Sequence, residues 1–193
     1  VVMISPSATS PGLTTLDDKG YFFRTAPSDA RGGQILADIT KDRRIKSVAI
    51  TYTNNDYGKG LADVYKAAVE AHGIKVTTVA AHEDGKADYS SEVATLASAG
   101  GDAVAVIGYL DQGGKGIIQG SLDSGAFDRF ILSDGMIGDS LTDTFGKDLN
   151  KSFGSLPGST AKGAGVFTDV AKAAGIDSSG PYTGESYDAA ALI

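Results

Sequence analysis

The sequence predicts an α/β fold built on a parallel sheet, and two observations carry that prediction. The first is the stretch from Ile45 to Glu83, which reads as strand, loop, helix, strand. Val48-Ala-Ile-Thr-Tyr-Thr53 is apolar and β-branched, the composition of a strand buried on both faces. Asn54-Asn-Asp-Tyr57 breaks it with turn formers. A helix is predicted from Gly58, with Leu61, Val64, Tyr65, Ala68, Val69 and His72 at spacings of three and four. Gly73 stops it as a residue free to take positive φ, and Ile74 to Val79 alternates as the next strand. A right-handed crossover makes the two strands parallel and leaves the loops at their carboxyl ends open to ligands. The second observation is that the same βα alternation recurs along the chain.

In order, Val1 to Ile4 is predicted as a short strand, followed by the hydroxyl- and proline-rich loop Ser5-Pro-Ser-Ala-Thr-Ser-Pro11. Tyr21-Phe-Phe-Arg24 is a second strand. A helix opens at Ala26-Pro-Ser-Asp29, with Ser28 or Asp29 as N-cap and Ile35, Leu36 and Ile39 on its buried side. After the central unit, Asp88 or Ser90 caps a helix that buries Val93, Leu96 and Ala97 and ends at Gly100-Gly101. Asp102 to Gly108 is a buried strand, and Tyr109-Leu-Asp-Gln112 is the loop after it. A Gly-rich helix with Ile117, Ile118 and Leu122 ends at Gly125. Arg129 to Ser133 is a strand, Asp134-Gly135 turns out of it, and a short helix spans Leu141 to Phe145. A weak strand near Ser152 to Leu156, a hinge at Pro157-Gly158 and helices over Lys162 to Ala174 and Glu185 to Ile193 complete the reading.

Composition narrows the function. The 193 residues are 41% hydrophobic, enough for a sizeable core, and carry a net charge of −7. That balance argues against a nucleic-acid surface or an anionic membrane, since both attract basic patches. No apolar run approaches the ~20 residues that cross a bilayer, so no direct membrane insertion is expected. Zero cysteines excludes disulfides, thiolate nucleophiles and Cys-based metal sites.

Three strands of one sheet end in Asn54 to Tyr57, Tyr109 to Gln112, and Asp134-Gly135. Their carboxyl ends share one edge, so Tyr57, Tyr109 and Asp134 are brought together by topology alone. The opposing reading makes Asp134-Gly135 a plain turn and the tyrosines rim packing. Ser5, Ser7, Thr9 and Ser10 offer hydroxyls beside backbone N–H groups, which suits a carboxylate or phosphate; a plain surface turn is the alternative.

Enzyme patterns fail on inspection. Gly58-x-Gly60 lacks the third glycine of a dinucleotide site, where Asp63 stands, although Glu83 ends the next strand. Gly108 to Gly116 has Gly114 where a phosphate loop needs lysine. Ser159-x-x-Lys162 lacks the companion triplet of acyl-transfer serines. His72 and His82 are too far apart for a helical metal pair. No catalytic residue, metal or cofactor is expected.

Six sequence words in order resemble the type I periplasmic binding proteins of branched-chain amino-acid (Leu/Ile/Val) ABC transporters. They are Ile4-Ser-Pro-Ser-Ala-Thr9, Tyr21-Phe-Phe-Arg-Thr-Ala-Pro-Ser-Asp29, Asp56-Tyr-Gly-Lys-Gly-Leu61, Gly108-Tyr109, Ser133-Asp-Gly135 and Ser186-Tyr-Asp-Ala189. The resemblance implies Rossmann- or flavodoxin-like α/β lobes, each a parallel sheet sandwiched by helices, that close on a ligand. Residues 1–25 would then be part of lobe one and hinge, 26–158 lobe two, and 159–193 a truncated return to lobe one. It further implies a fragment: the first half of lobe one and its C-terminal portion lie outside this sequence, with a signal peptide upstream and a periplasmic or extracytoplasmic location.

The resemblance also implies a ligand site of Ser7, Ala8, Thr9, Tyr57, Tyr109, Asp134 and Gly135. Ser7 would offer its carbonyl to a ligand ammonium, and Thr9 its hydroxyl and N–H to the charged ends. Tyr57 and Tyr109 would close over the ligand, and Asp134 would pair with the ammonium, where the family often has Glu. The expected partners are a small amino acid or related carboxylate and the membrane permease of an ABC transporter. The alternative is a ligand-sensing domain of a receptor, or of a regulator that responds to amides or aromatic acids.

Overall fold

The computed structural model describes residues 1–158 and 162–193. The Ser159 end of the acyl-transfer pattern lies outside the described residues. Strands β1 (Met3–Ser5) and β2 (Phe22–Arg24) pair in parallel as a two-stranded sheet, from which helix α1 (Asp29–Asp42) leads onward. The larger unit then runs β3 (Ser47–Thr53), α2 (Asp56–Ala71), β4 (Lys75–His82), α3 (Ser90–Ala99), β5 (Ala103–Ile107), α4 (Lys115–Ser124), β6 (Phe130–Leu132), α5 (Asp139–Phe145) and β7 (Phe153–Gly154). Two helices follow, α6 (Lys162–Ala173) and α7 (Thr183–Ala191).

The five-stranded sheet has the order β4-β3-β5-β6-β7, and every pair is parallel. Its centre is buried on both faces, as the apolar runs require: all five residues of β5 and all three of β6 are inaccessible. One face packs Ile50, Ala105 and Ile131 against Leu36, Leu61, Tyr65 and Val69 from α1 and α2. The other packs Val104, Val106 and Leu132 against Leu96, Ile117 and Ile118 from α3 and α4. Each Val, Leu or Ile among them contributes ~1.5–3 kcal/mol on burial, so the two clusters fix which helix lies on which face.

The predicted punctuation holds at several ends. Ser28 caps α1 by accepting from the Ala30 amide at 3.2 Å, and Gly73 takes φ +75 after α2. Asp88 Oδ1 accepts from the Ser90 amide at 3.1 Å, so it serves the start of α3 although Tyr89 stands at the cap position.

Other expectations need correction. The first strand starts at Met3, not Val1, because its pairing begins with Met3 opposite Phe22. Helix α2 starts at Asp56 rather than Gly58, since the Asn55 side chain accepts from the Gly58 amide at 2.9 Å and caps the helix two residues earlier. Tyr57 therefore sits in a first helical turn and not in a loop. Ile35 is exposed, because α1 turns Gly33, Leu36, Ala37 and Thr40 inward against α2. Ala97 is likewise exposed while Val93 and Leu96 are buried. The stretch after β5 is a wound turn, Leu110–Gly114, leading straight into α4.

Candidate functional site

The site is assembled from the carboxyl ends of parallel strands. Strand β3 delivers Tyr57 through the N-terminus of α2, β5 delivers Tyr109, and β6 delivers Ser133 and Asp134. The loop after β1 supplies Ser7 to Ser10. Ser7, Ala8, Thr9, Tyr57, Tyr109, Asp134 and Gly135 all line one cleft of about 970 Å³. Gly135 is there for close approach: a Cβ on it would collide with the Gly108 carbonyl oxygen.

A hydrogen-bonded cluster forms the floor. Tyr57 Oη donates to Asp134 Oδ1 at 2.7 Å and lies 3.0 Å from Ser133 Oγ, which itself accepts from the Gly108 amide at 3.2 Å. Tyr182 Oη donates to Asp134 Oδ2 at 2.5 Å. Asp134 is only 8% exposed, so it is a bonded, largely enclosed carboxylate and not a free turn residue. Burial and then the charge of Asp134 push both phenols well above their ordinary range, so both stay protonated and can donate to the carboxylate. Tyr109 stacks on Tyr57 with ring centroids 5.3 Å apart.

A second carboxylate lies beside this floor. The Asp29 amide donates to the Thr9 carbonyl at 2.9 Å, which places Asp29 behind the Ser7 to Ser10 loop. Its side chain borders a cavity of about 120 Å³ that Asp134 also borders. Burial pushes the Asp29 carboxyl up to about 6; the charge of Asp134 adds to the rise, and Thr9 and Arg24 oppose it. Asp29 Oδ2 and Thr9 Oγ1 are both buried without a hydrogen-bond partner.

Arg24 carries the local positive charge, but its guanidinium is engaged with the loop. It donates to the Ala8 and Ser10 carbonyls at 3.1 and 2.8 Å and to Thr14 Oγ1 at 2.6 Å. Ser5 Oγ accepts from the Ala8 amide at 3.1 Å, so that N–H is occupied within the loop. Among the described residues lining the cleft the charged ones are Asp56, Lys59, Asp63 and Asp134, and Lys59 is paired with Asp63 at 2.7 Å. The balance is negative. Such a cleft attracts a cationic group and repels a simple carboxylic acid.

Strand topology read from the sequence brings Tyr57, Tyr109 and Asp134 to one edge, and only the resemblance adds the Ser7 to Thr9 loop. Sequence reasoning missed Asp29 as a cleft charge, reading it only as a helix cap, and missed Arg24 and Tyr182 altogether. Arg24 and Asp29 lie within one of the matching words, which was the only available signal. Tyr182 follows a Gly-Pro turn that carries no mark of a contact 48 residues away. His82 is buried, with Nδ1 2.9 Å from Thr51 Oγ1. His72 pairs with Asp38 at 2.7 Å. Among the described residues no group of three or more metal-ligating side chains forms, and no helix is long and apolar enough to cross a membrane.

Tyr109 offers a test that separates site from core, since it lies on the cleft wall and is only half-buried. Tyr109→Ala is expected to lose more than tenfold in ligand affinity, the usual cost of truncating a well-placed aromatic contact, about 2 kcal/mol. Its melting point without ligand should barely move. A large loss of stability with intact binding would return Tyr109 to the packing class.

Residues 1–171 match the family described as receptor family ligand binding region. A Leu/Ile/Val-binding protein homolog from Brucella melitensis is 37% identical over 115 residues, covering 59% of this chain and 31% of that protein. A leucine-, isoleucine-, valine-, threonine- and alanine-binding protein from Pseudomonas aeruginosa is 28% identical across the whole chain and 52% of its own length. The crystal structure of a leucine-binding protein, LivK, from Thermotoga maritima superposes with a TM-score of 0.81 at 21% identity, over the whole chain and 55% of that protein. A solute-binding protein of an ABC transporter from Rhodopseudomonas palustris, solved with p-hydroxybenzoic acid, gives 0.79 at 16% identity over 54% of its length. The chain thus spans about half the length of these relatives or less, and each of them is named for binding.

Proposed function

The chain belongs to the receptor family ligand binding region family, with a type I periplasmic binding-protein fold, and from that premise we propose that it captures a small α-amino acid for an ABC permease. In this reading residues 1–25 and 159–193 belong to one lobe, residues 26–158 form the other, and Pro157-Gly158 is part of the hinge. The protein works outside the cytoplasm, and its partner is the permease that receives the ligand. The observation that carries the proposal is the convergence of the binding loop, two stacked tyrosines and Asp134 on one acidic cleft.

A zwitterion needs donors at one end and a carboxylate at the other. The hydroxyls of Ser7 and Thr9 supply the first, and Thr9 Oγ1 is a buried group still without a partner, while the Ser10 hydroxyl already donates to the Asp56 carbonyl at 3.3 Å. Asp134, with Asp29 behind it, supplies the second. Tyr57 and Tyr109 give the apolar wall. The aromatic-acid alternative, a sensor of the same fold, is opposed by these two carboxylates, which favour an ammonium-bearing ligand.

A thermal-shift screen of amino acids against aromatic acids and amides tests the proposal. A ligand at a hundredfold excess over its Kd stabilises the native state by about 2.7 kcal/mol, enough to move the midpoint visibly. Stabilisation by one or more α-amino acids is the expected result. Stabilisation by acids or amides alone would overturn it.

A further inference from the structure

Among the described residues lining the cleft, Tyr182 alone of the non-glycines is held in a costly backbone conformation. Its φ is +61, a left-handed value that an L side chain with a Cβ adopts at a cost of roughly 1–2 kcal/mol. The surrounding turn enforces it. The Tyr182 carbonyl accepts from the Ser186 amide at 2.9 Å and from Ser186 Oγ at 2.7 Å. Thr183 Oγ1 bonds back to the Ser178 and Gly180 carbonyls at 2.9 and 3.1 Å. The start of α7 is also tied to the end of β2, since Thr25 Oγ1 donates to the Glu185 carbonyl at 2.8 Å. A bonded turn that sets a strained tyrosine down on a buried carboxylate is a positioning device.

We infer that Tyr182 is a positioning residue for ligand recognition: with Tyr57 it clamps the Asp134 carboxylate, one phenol on each oxygen, and so sets the protein's preference for ligands that carry an ammonium. The inference rests on the amino-acid reading above and deepens it. A carboxylate carrying one donor on each oxygen cannot rotate without breaking a charge-assisted bond, and each oxygen keeps acceptor capacity for a further N–H. The two phenols arrive from segments far apart in the sequence, Tyr57 from α2 and Tyr182 from the turn before α7. Their joint grip therefore also ties the segment beyond residue 180 to the sheet that carries Asp134. Without Tyr182 the carboxylate retains only Tyr57 and gains freedom to turn away from the cleft.

The test compares wild type, Tyr182→Phe, Asp134→Asn and the double variant by calorimetry. The probes are the common α-amino acids, each beside its deaminated acid with the same side chain. Tyr182→Phe keeps the ring and removes only the donor. It is expected to weaken the bound amino acid about tenfold, the scale of one hydrogen bond to a charged group. Binding of the deaminated acid should not change, so discrimination between the pair shrinks by the same factor. In the Asp134→Asn background the second substitution should add little, because Tyr182 acts through Asp134. Equal weakening of both ligands, or no change in either, would overturn the inference and leave Tyr182 as packing. If wild type itself fails to prefer amino acids over their deaminated acids, or binds no amino acid, the proposed function falls and this inference with it.

Discussion

Asp134→Asn is expected to weaken binding of an α-amino acid by about 2–5 kcal/mol, roughly 30- to several-thousand-fold in Kd. The substitution keeps the shape of the side chain and removes the charge that meets the ligand ammonium. Asp134 is largely buried, and an enclosed ammonium left without its counter-charge costs several kcal/mol. Read from the sequence alone, Asp134 is a lone carboxylate in an open cleft, whose loss would leave the empty protein as stable or slightly more so. The bonds from Tyr57 and Tyr182 change that expectation. Asn retains one acceptor oxygen for one of the two phenols, so the unliganded protein should lose about 1 kcal/mol, the scale of one hydrogen bond. Urea denaturation without ligand and calorimetry with it check the two halves. Near-unchanged affinity would remove Asp134 from the site.

Asp29→Asn should act in opposite directions on stability and on binding. A carboxyl held at about 6 instead of 3.8 corresponds to about 3 kcal/mol as an upper bound. Because the folded-state value is raised, the contribution to stability is fully present below about pH 4 and is lost as pH rises through 6. The empty wild-type protein therefore carries an unfavourable buried charge at pH 7.5, and Asp29→Asn should stabilise it there by about 1–3 kcal/mol. A bound ammonium stabilises that same charge. Wild-type affinity should accordingly rise between pH 5 and 7, with a proton released on binding. The variant should bind roughly tenfold more weakly at pH 7.5, a loss near 1.4 kcal/mol, and show a flatter profile. His82 adds the opposite slope to stability: burial holds its imidazole below 6.5, so its contribution is lost as pH falls through that value. The difference between variant and wild type isolates Asp29. A variant no more stable than wild type at pH 7.5 would show that Asp29 is not buried as a charge.

Much of this arrangement was legible in the sequence, for physical reasons. The buried strands β5 and β6 are continuous apolar runs and β3 is apolar and β-branched, and such strands joined by helices leave parallel pairing as the consistent solution. Once the strands are parallel, their carboxyl ends share an edge, which is why the sequence alone brings Tyr57, Tyr109 and Asp134 together. Exact helix faces were less legible. Ile35 follows the apolar period but faces outward, because α1 packs through Gly33 and its rotation is set by contact with α2. The start of α2 moved because one side-chain bond from Asn55 outweighed the turn propensity of Asn-Asn-Asp.

The remaining misses share one cause. Asp29 is read locally as a helix-start residue, and nothing near it in the sequence reveals that Asp134 lies across the same cavity. Tyr182 depends on a turn whose left-handed residue is a tyrosine where glycine is the usual occupant. Arg24 closes its strand with an ordinary charge, and only the folded loop places the Ala8 and Ser10 carbonyls around it. Local pattern specifies elements; the contacts that tune charge in the cleft run between elements far apart in the chain.

A crystal structure of the protein with its bound amino acid tests the central claim most directly. The expected result places the ligand ammonium within hydrogen-bond distance of Asp134, its carboxylate on the Ser7 to Ser10 loop, and its side chain against Tyr57 and Tyr109. A ligand with its carboxylate turned toward Asp134, or seated outside this cleft, would contradict the account.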